Sequence, residues 1–271
     1  MGLKTGAAPF VGVDDVQVFA LSGRCGGRFQ GTLMSFSIAG KTAVVTGAAN
    51  GVGRAIARHF VEAGANVMMA DMDEKALAEA TGKVDDEVGS VRGYAGDLRE
   101  KLNVANLLSA TIDGFERVDI LVNASRQVLT SDPLDPDDDA LVQSLHQNLI
   151  PSLRLSQVFA RRMIAQAADD GREDAPVGTI INLSSIAARR AQTDLMAFSV
   201  SSAAQDQLTR SLAVALASER IRVNAIAFGS VMSESLKGVL KDHPDFRDEI
   251  VGHTPLARIA GAVELGEVAQ F

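Results

Sequence analysis

The sequence predicts a doubly wound α/β fold, a parallel sheet with helices on both faces. Short apolar runs alternate with helix-period stretches along most of the chain, which is the pattern of consecutive βα units. A glycine-rich turn, TGAANGVG (Thr46–Gly53), joins the first apolar run to the first helix. The length of 271 residues and the 46% hydrophobic content suit one large domain with a sizeable core.

The elements follow in order. KTAVVT (41–46) is the first strand, and 52–63 is a helix with Ile56, Phe60 and Ala63 on its inner face. ANVMMA (65–70) is the second strand, followed by a helix over 74–88 rich in Ala, Glu and Lys. VRGYAG (91–96) is a weaker third strand, with a helix over 100–112 after it. DILVNA (119–124), TIINL (179–183) and IRVNAIA (221–227) are the fourth, fifth and sixth strands.

Between the fourth and fifth strands the sequence predicts a long helix starting near Pro136. Asp135 is placed to cap it, Pro136 suits its first position, and Asp137, Asp138 and Asp139 complement the positive end of its dipole. That acidic run reads as helix-start chemistry, not as a metal site. Pro151 lacks an amide for the Gln147 carbonyl and is expected to kink the helix beside Asn148. A further helix covers 197–218. Residues 1–33 are glycine-rich, lack sustained periodicity and are expected to lie outside the fold, with Met34 as an alternative start. The domain is therefore expected over 34–271.

Composition excludes several roles. The net charge of −8 and pI near 5.1 argue against a nucleic-acid partner. Cys25 is the only cysteine, which excludes an internal disulfide and suits a reducing compartment. No apolar run approaches the ~20 residues needed to cross a bilayer. MGLKTG carries Gly6 where a myristoylation pattern requires Ser or Thr, and Asp14 and Asp15 interrupt any signal-peptide core. A cytoplasmic protein without a membrane partner is expected. No His pair has helical ligand spacing, so no metal site is indicated, and His243 and His253 read as solvated.

The turn TGAANGVG stands in the context a dinucleotide loop requires, after a strand and opening a helix. Gly47 permits the tight turn, while Gly51 and Gly53 allow backbone and helix to approach a pyrophosphate. The helix N-terminus supplies amide donors. Asp71, directly after the second strand, is placed to accept hydrogen bonds from the ribose hydroxyls of NAD and to repel the extra phosphate of NADP. NAD is therefore the expected cofactor, with Arg54 as the opposing cue.

The TGxxxGxG spacing and the segment GTIINLSSIAARRAQTDLMAFSVSSAA (178–204) resemble the short-chain dehydrogenase/reductase family, over about 36–271. The resemblance implies a Rossmann-type fold and oxidoreduction of a small alcohol or carbonyl compound. It also implies association through the helices at 136–167 and 197–218 as a homodimer or homotetramer. It implies that Thr46, Gly47, Asn50, Gly51, Val52, Gly53 and Asp71 hold the cofactor. Asp97 and Leu98 would meet the adenine, an ordinary turn Asp being an equal reading of Asp97. LVNASR (121–126) aligns with the family's LVNNAG: Asn123 is retained, for the sheet or the adenosine ribose, while Ala124, Ser125 and Arg126 replace the rest. In VNAIAFGSVMSE (223–234), Phe228 replaces the usual Pro, and Val231 and Ser233 match positions that meet the nicotinamide carboxamide. Residues 234–254 would form the substrate loop.

The catalytic frame departs from the family. Asn148 matches its active-site Asn and Ser185 its substrate-binding Ser, with a plain strand-end turn as the other reading of Ser185. At the positions of the general acid Tyr and its Lys stand Phe198 and Ser202. Tyr94 is the only tyrosine, so no neighbouring phenol replaces the lost one. Loss of a positioned acid costs about 10²–10⁴-fold in rate. Three functions follow: an oxidoreductase with another proton route, a weak or inactive NAD-binding pseudoenzyme, or a reductase of a pre-activated acceptor such as an iminium ion. The family's seventh strand and its ending are also missing, so either the sequence is truncated or the sheet stops at strand six.

Overall fold

Val44 and Val45, adjacent in the first strand, are both fully buried but belong to different apolar clusters. Successive strand side chains point to opposite faces, so a strand buried on both sides must lie between two layers of helices. Met68 and Met69 in the second strand divide in the same way. This is the packing of a doubly wound sheet. The computed structural model describes residues 36–82, 89–171 and 175–271, except for the side chains of 234 and 235. The extension expected over 1–33, with Met34, lies outside the described residues.

The strands are β1 (Thr42–Thr46), β2 (Asn66–Asp71), β3 (Val91–Ala95), β4 (Ile120–Asn123), β5 (Gly178–Ser185) and β6 (Ile221–Phe228). They form one parallel sheet in the order β3-β2-β1-β4-β5-β6. The order reverses direction between β1 and β4, where the strands' carboxyl ends open a crevice. Helices α1 (Gly51–Glu62), α2 (Glu74–Thr81) and α3 (Lys101–Phe115) follow the first three strands. Asp73 caps α2 by accepting from the Ala76 N–H. The part of the second helix expected beyond Gly82 lies outside the described residues.

The helix expected from Pro136 begins later, as α4 (Ala140–Ser144). Asp132, Asp135 and Asp138 each accept, through Oδ1, the N–H two residues on, at Leu134, Asp137 and Ala140. The acidic run thus closes successive side-chain turns ahead of the helix, and Asp135 caps nothing. After α4 comes a π-helical turn (Leu145–Leu149), then α5 (Ile150–Asp169). Where a kink was expected at Pro151 the helix widens instead: the Gln147 carbonyl has no Pro151 N–H to accept, and the Ile150 N–H bonds the Leu145 carbonyl.

Helix α6 spans Met196–Ala215. Residues 234–254, expected as a loop, instead hold α7 (Glu234–Asp242) and α8 (Asp245–Gly252). Two further strands, β7 (Val231–Met232) and β8 (Ala260–Gly261), pair in parallel and lead into α9 (Ala262–Gln270). Helix α9 lies close on α1, where a Cβ at Gly266 would stand 2.6 Å from His59 Cβ. The Gln270 amide donates to the Phe36 carbonyl, and the Phe36 and Phe271 rings lie 5.0 Å apart. Among the described residues the large sheet ends at β6.

Candidate active site

The glycine-rich turn crosses the crevice between β1 and α1. Gly47 has φ +63° and Gly51 φ +57°, in the left-handed region. At Gly53 a Cβ would lie 2.2 Å from the Gly47 carbonyl oxygen, so only glycine lets α1 start this close to β1. Asn50 stands at the N-cap without using its side chain there, and the first turn holds no acidic residue. The first amides of α1 are therefore left for an anion. Val52 is packed on the core below.

Asp71 closes the end of β2. Its Oδ2 accepts the Ala49 N–H at 3.0 Å and its Oδ1 the Asp73 N–H at 3.1 Å. Each oxygen keeps a lone pair for a further donor. Asp71, Asp97, Leu98, Ser125 and Pro151 line one cleft. Asp97 is occupied by Arg99, whose guanidinium bonds both carboxylate oxygens at 2.6–2.9 Å. That hydrogen bonding holds the Asp97 carboxyl below its usual range. Leu98 is buried in the core.

Thr46 joins the two halves of the crevice. Its Oγ1 accepts the N–H groups of Ala124 and Ser125 at 3.0 and 3.1 Å. Asn123 pairs with Asn182 across β4 and β5: its Nδ2 donates to Asn182 Oδ1 at 2.8 Å and to Ser156 Oγ at 3.2 Å. Of its two expected roles, bracing the central sheet is the one this geometry displays.

On the catalytic side, Asn148 sits in the π turn and is buried. Its amide accepts the Gln127 N–H at 2.8 Å and donates to the Gln127 carbonyl at 2.9 Å, with Ser201 Oγ at 3.3 Å. It fixes the loop after β4. Ser185 Oγ accepts the Ala187 N–H and so caps the short 3₁₀ turn Ile186–Ala188. Phe198 and Ser202, one turn apart on α6, are both buried. Val231 is buried in β7, and Ser233 caps α7 by accepting the Leu236 N–H. His243 and His253 are exposed, as expected.

The sequence does not disclose what happens at Arg126. Its guanidinium carbon lies 4.6 Å from the Phe198 ring centroid and 5.4 Å from that of Phe228. Its Nη1 donates to the Ser184 carbonyl at 2.6 Å. Among the described residues no carboxylate pairs with it. Burial pushes its pKa down to about 10. The available signal was that Arg126 and Phe228 both replace small family residues with large ones beside the altered Phe198.

Arg126, Asn123, Asn148, Ser201, Ser202 and Gln205 line a second cleft that shares Ser125 with the first. Asn123 Oδ1 and Gln205 Oε1 are buried there without a hydrogen-bond partner. Among the described residues no cluster of His, Cys, Asp and Glu could hold a metal ion, and no helix is long and apolar enough to cross a membrane.

Comparison with known proteins agrees with this geometry. A family model described as Enoyl-(Acyl carrier protein) reductase matches residues 47–271. The chain is 30% identical to 7alpha-hydroxysteroid dehydrogenase of Escherichia coli (strain K12) over 236 residues, 86% of each chain. It is 31% identical to oxidoreductase UcpA of the same organism over 243 residues, 86% of this chain and 88% of the relative. A solved structure of 7 alpha-hydroxysteroid dehydrogenase complexed with NADH and 7-oxo glycochenodeoxycholic acid superimposes with a TM-score of 0.78. The two are 27% identical, over 87% of this chain and 88% of that one. The glycine-rich crevice, the strand order and these matches place the chain in the short-chain dehydrogenase/reductase family.

Proposed function

We propose that this protein binds NAD(H) and works as an oxidoreductase on a small alcohol or carbonyl compound without a Tyr–Lys pair. The observation that carries the reading is the uncapped start of α1 facing Asp71 across the Gly47–Gly53 turn. The uncapped amides suit a pyrophosphate, and a carboxylate with free lone pairs suits a diol. The solved relative holding NADH supports the same cofactor class. When bound, a nicotinamide supplies or accepts hydride.

The chain's own contribution is placement. Asn148 holds the loop after β4 through both polar groups of its amide. Thr46 ties that loop to the glycine-rich turn. Phe198 keeps the ring of the absent Tyr but donates no proton, and Ser202 carries no charge. The proton must come from solvent, from the substrate or from the Ser185 hydroxyl, whose oxygen already caps the following turn.

A second reading, a weak or silent NAD-binding member of the family, is favoured by one observation. The Arg126 guanidinium stacks on Phe198 where the catalytic phenol would stand. Reduction of a pre-activated acceptor such as an iminium ion is the third, since it needs no strong acid. We assign the protein to the cytoplasm on its single cysteine, and read it as a homodimer or homotetramer on the family resemblance. Calorimetric titration with NADH and NADPH, followed by turnover assays on alcohols, ketones and imines, tests these readings. Failure to bind either cofactor overturns the first.

A further inference from the structure

The neighbours of Asn123 fix which way its amide faces. Thr209 Oγ1 donates to the Gln205 carbonyl at 2.8 Å, so it accepts from Asn182 Nδ2 at 2.9 Å. Asn182 Oδ1 therefore faces Asn123 Nδ2, at 2.8 Å. Ser156 Oγ spends its hydrogen on the Ser152 carbonyl and accepts from the same Nδ2. Both hydrogens of the Asn123 amide are thus used, and its Oδ1 is left as a buried acceptor without a donor. Gln205 Oε1 is in the same condition.

Asn123 and Gln205 line the second cleft together with Arg126. Buried acceptors are as a rule answered by protein or by water. The lining hydroxyls of Ser152 and Ser201 cannot answer these two, because they donate to the Asn148 and Phe198 carbonyls. Arg126 has the opposite surplus. Its guanidinium carries five N–H groups, and Nη1 gives one to the Ser184 carbonyl.

Size and charge restrict what can answer both. The cleft has room for about one water, near 10 Å³. The Arg126 cation disfavours a second cation there, and the two amide oxygens disfavour an anion. The occupant must be neutral, bring a donor for each oxygen and offer an acceptor to the guanidinium. A water molecule has that set.

We infer that the second cleft is an internal water site, in which one water donates to Asn123 Oδ1 and Gln205 Oε1 and accepts from Arg126. Neither oxygen has a protein partner, so the water is what connects them to the guanidinium. It gives a buried cation a polar partner where no carboxylate stands, and it links α6 to the end of β4. The site does not depend on which cofactor the protein binds.

High-resolution crystals of the full chain, grown without ammonium salts, test this directly. One water peak is expected within about 3.2 Å of Asn123 Oδ1, Gln205 Oε1 and an Arg126 nitrogen. In solution, water-oxygen magnetic relaxation dispersion should count one long-lived water fewer in Gln205→Met than in the parent. Methionine keeps the length of the side chain and removes both polar atoms. Circular dichroism checks that the variant is folded, and the crystals of the parent decide the matter if it is not. A dry cleft overturns the inference, as does a Gln205 amide turned to bond Asn123 directly. An unchanged count of long-lived waters in folded Gln205→Met overturns it too. Bromide found in the cleft by its anomalous signal, after soaking, overturns the assignment to water in favour of an anion.

Discussion

Asp71 Oδ2 accepts the backbone N–H of Ala49 at 3.0 Å, so the carboxylate at the end of β2 also braces the glycine-rich turn. On the proposed NAD(H) reading, cofactor choice and the shape of the glycine-rich turn would be coupled through this one side chain. A 2′-phosphate at this position would face a carboxylate already fixed in place.

NAD(H) should therefore bind at least about tenfold more tightly than NADP(H), the low end of the cost of opposing like charges. Asp71→Asn should narrow the gap, mainly by improving NADP(H). Side-by-side calorimetry of the two cofactors measures it, and equal affinities in the parent would refute the assignment.

Gly53→Ala should damage both stability and cofactor binding. The added methyl meets the Gly47 carbonyl at 2.2 Å, and both partners are backbone, so neither yields cheaply. Overpacking of this kind costs about 1–3 kcal/mol, or a fall of roughly 2–10 °C in Tm for a domain of this size. Circular-dichroism melting reports the first effect and cofactor titration the second. A variant indistinguishable from the parent in both would show that α1 can slide away from β1.

Phe198→Tyr with Ser202→Lys should restore little carbonyl turnover by itself. The new ammonium would share a cleft with the Arg126 guanidinium, and two cations in one desolvated site oppose each other. Adding Arg126→Gly, which returns the family residue, should raise the rate by about 10²–10⁴-fold over the parent. Steady-state assays on a panel of ketones compare the double and triple variants. Equal inactivity of both, with NADH still bound, would mean that the pocket has been rebuilt beyond these positions.

The charge on Arg126 also predicts a pH dependence of stability. Its folded-state pKa is about 10, below the ordinary 12.5, because burial disfavours the cation. Between those values the unfolded chain holds more protons at this site than the folded one. Stability of the parent, measured against Arg126→Met, should therefore rise as pH increases from about 9 to 11. Urea unfolding at both ends of that window gives the comparison. A pH-independent difference between the two proteins would indicate that the guanidinium is well solvated.

The strands and the glycine-rich turn were legible in the sequence because their signals are local. Apolar runs set every strand but the weaker β3, and the glycines of the turn at 46–53 mark backbone that other residues rarely permit. The start of α4 was misplaced for an equally local reason. A row of aspartates binding N–H groups two residues ahead has the same composition as a helix start. Helices α7 and α8 went unread because the segment's homology to a loop outweighed its own periodicity. The Arg126 stack was illegible for a different reason: Arg126, Phe198 and Phe228 come together only when β4, α6 and β6 are assembled.

Tyr94 has an optical consequence. The chain holds no tryptophan and this single tyrosine, whose hydroxyl donates to Asn103 Oδ1 next to Gly96 and Asp97. Near-ultraviolet emission therefore originates from one phenol on β3, beside the cleft that Asp71 lines. With no indole to transfer excitation, the fluorescence of a reduced nicotinamide bound as proposed would be read without that background, and quenching of Tyr94 would report separately on a ligand in the Asp71 cleft. On the proposed reading, two ends of one ligand would thus be followed by two colours in the unmodified protein.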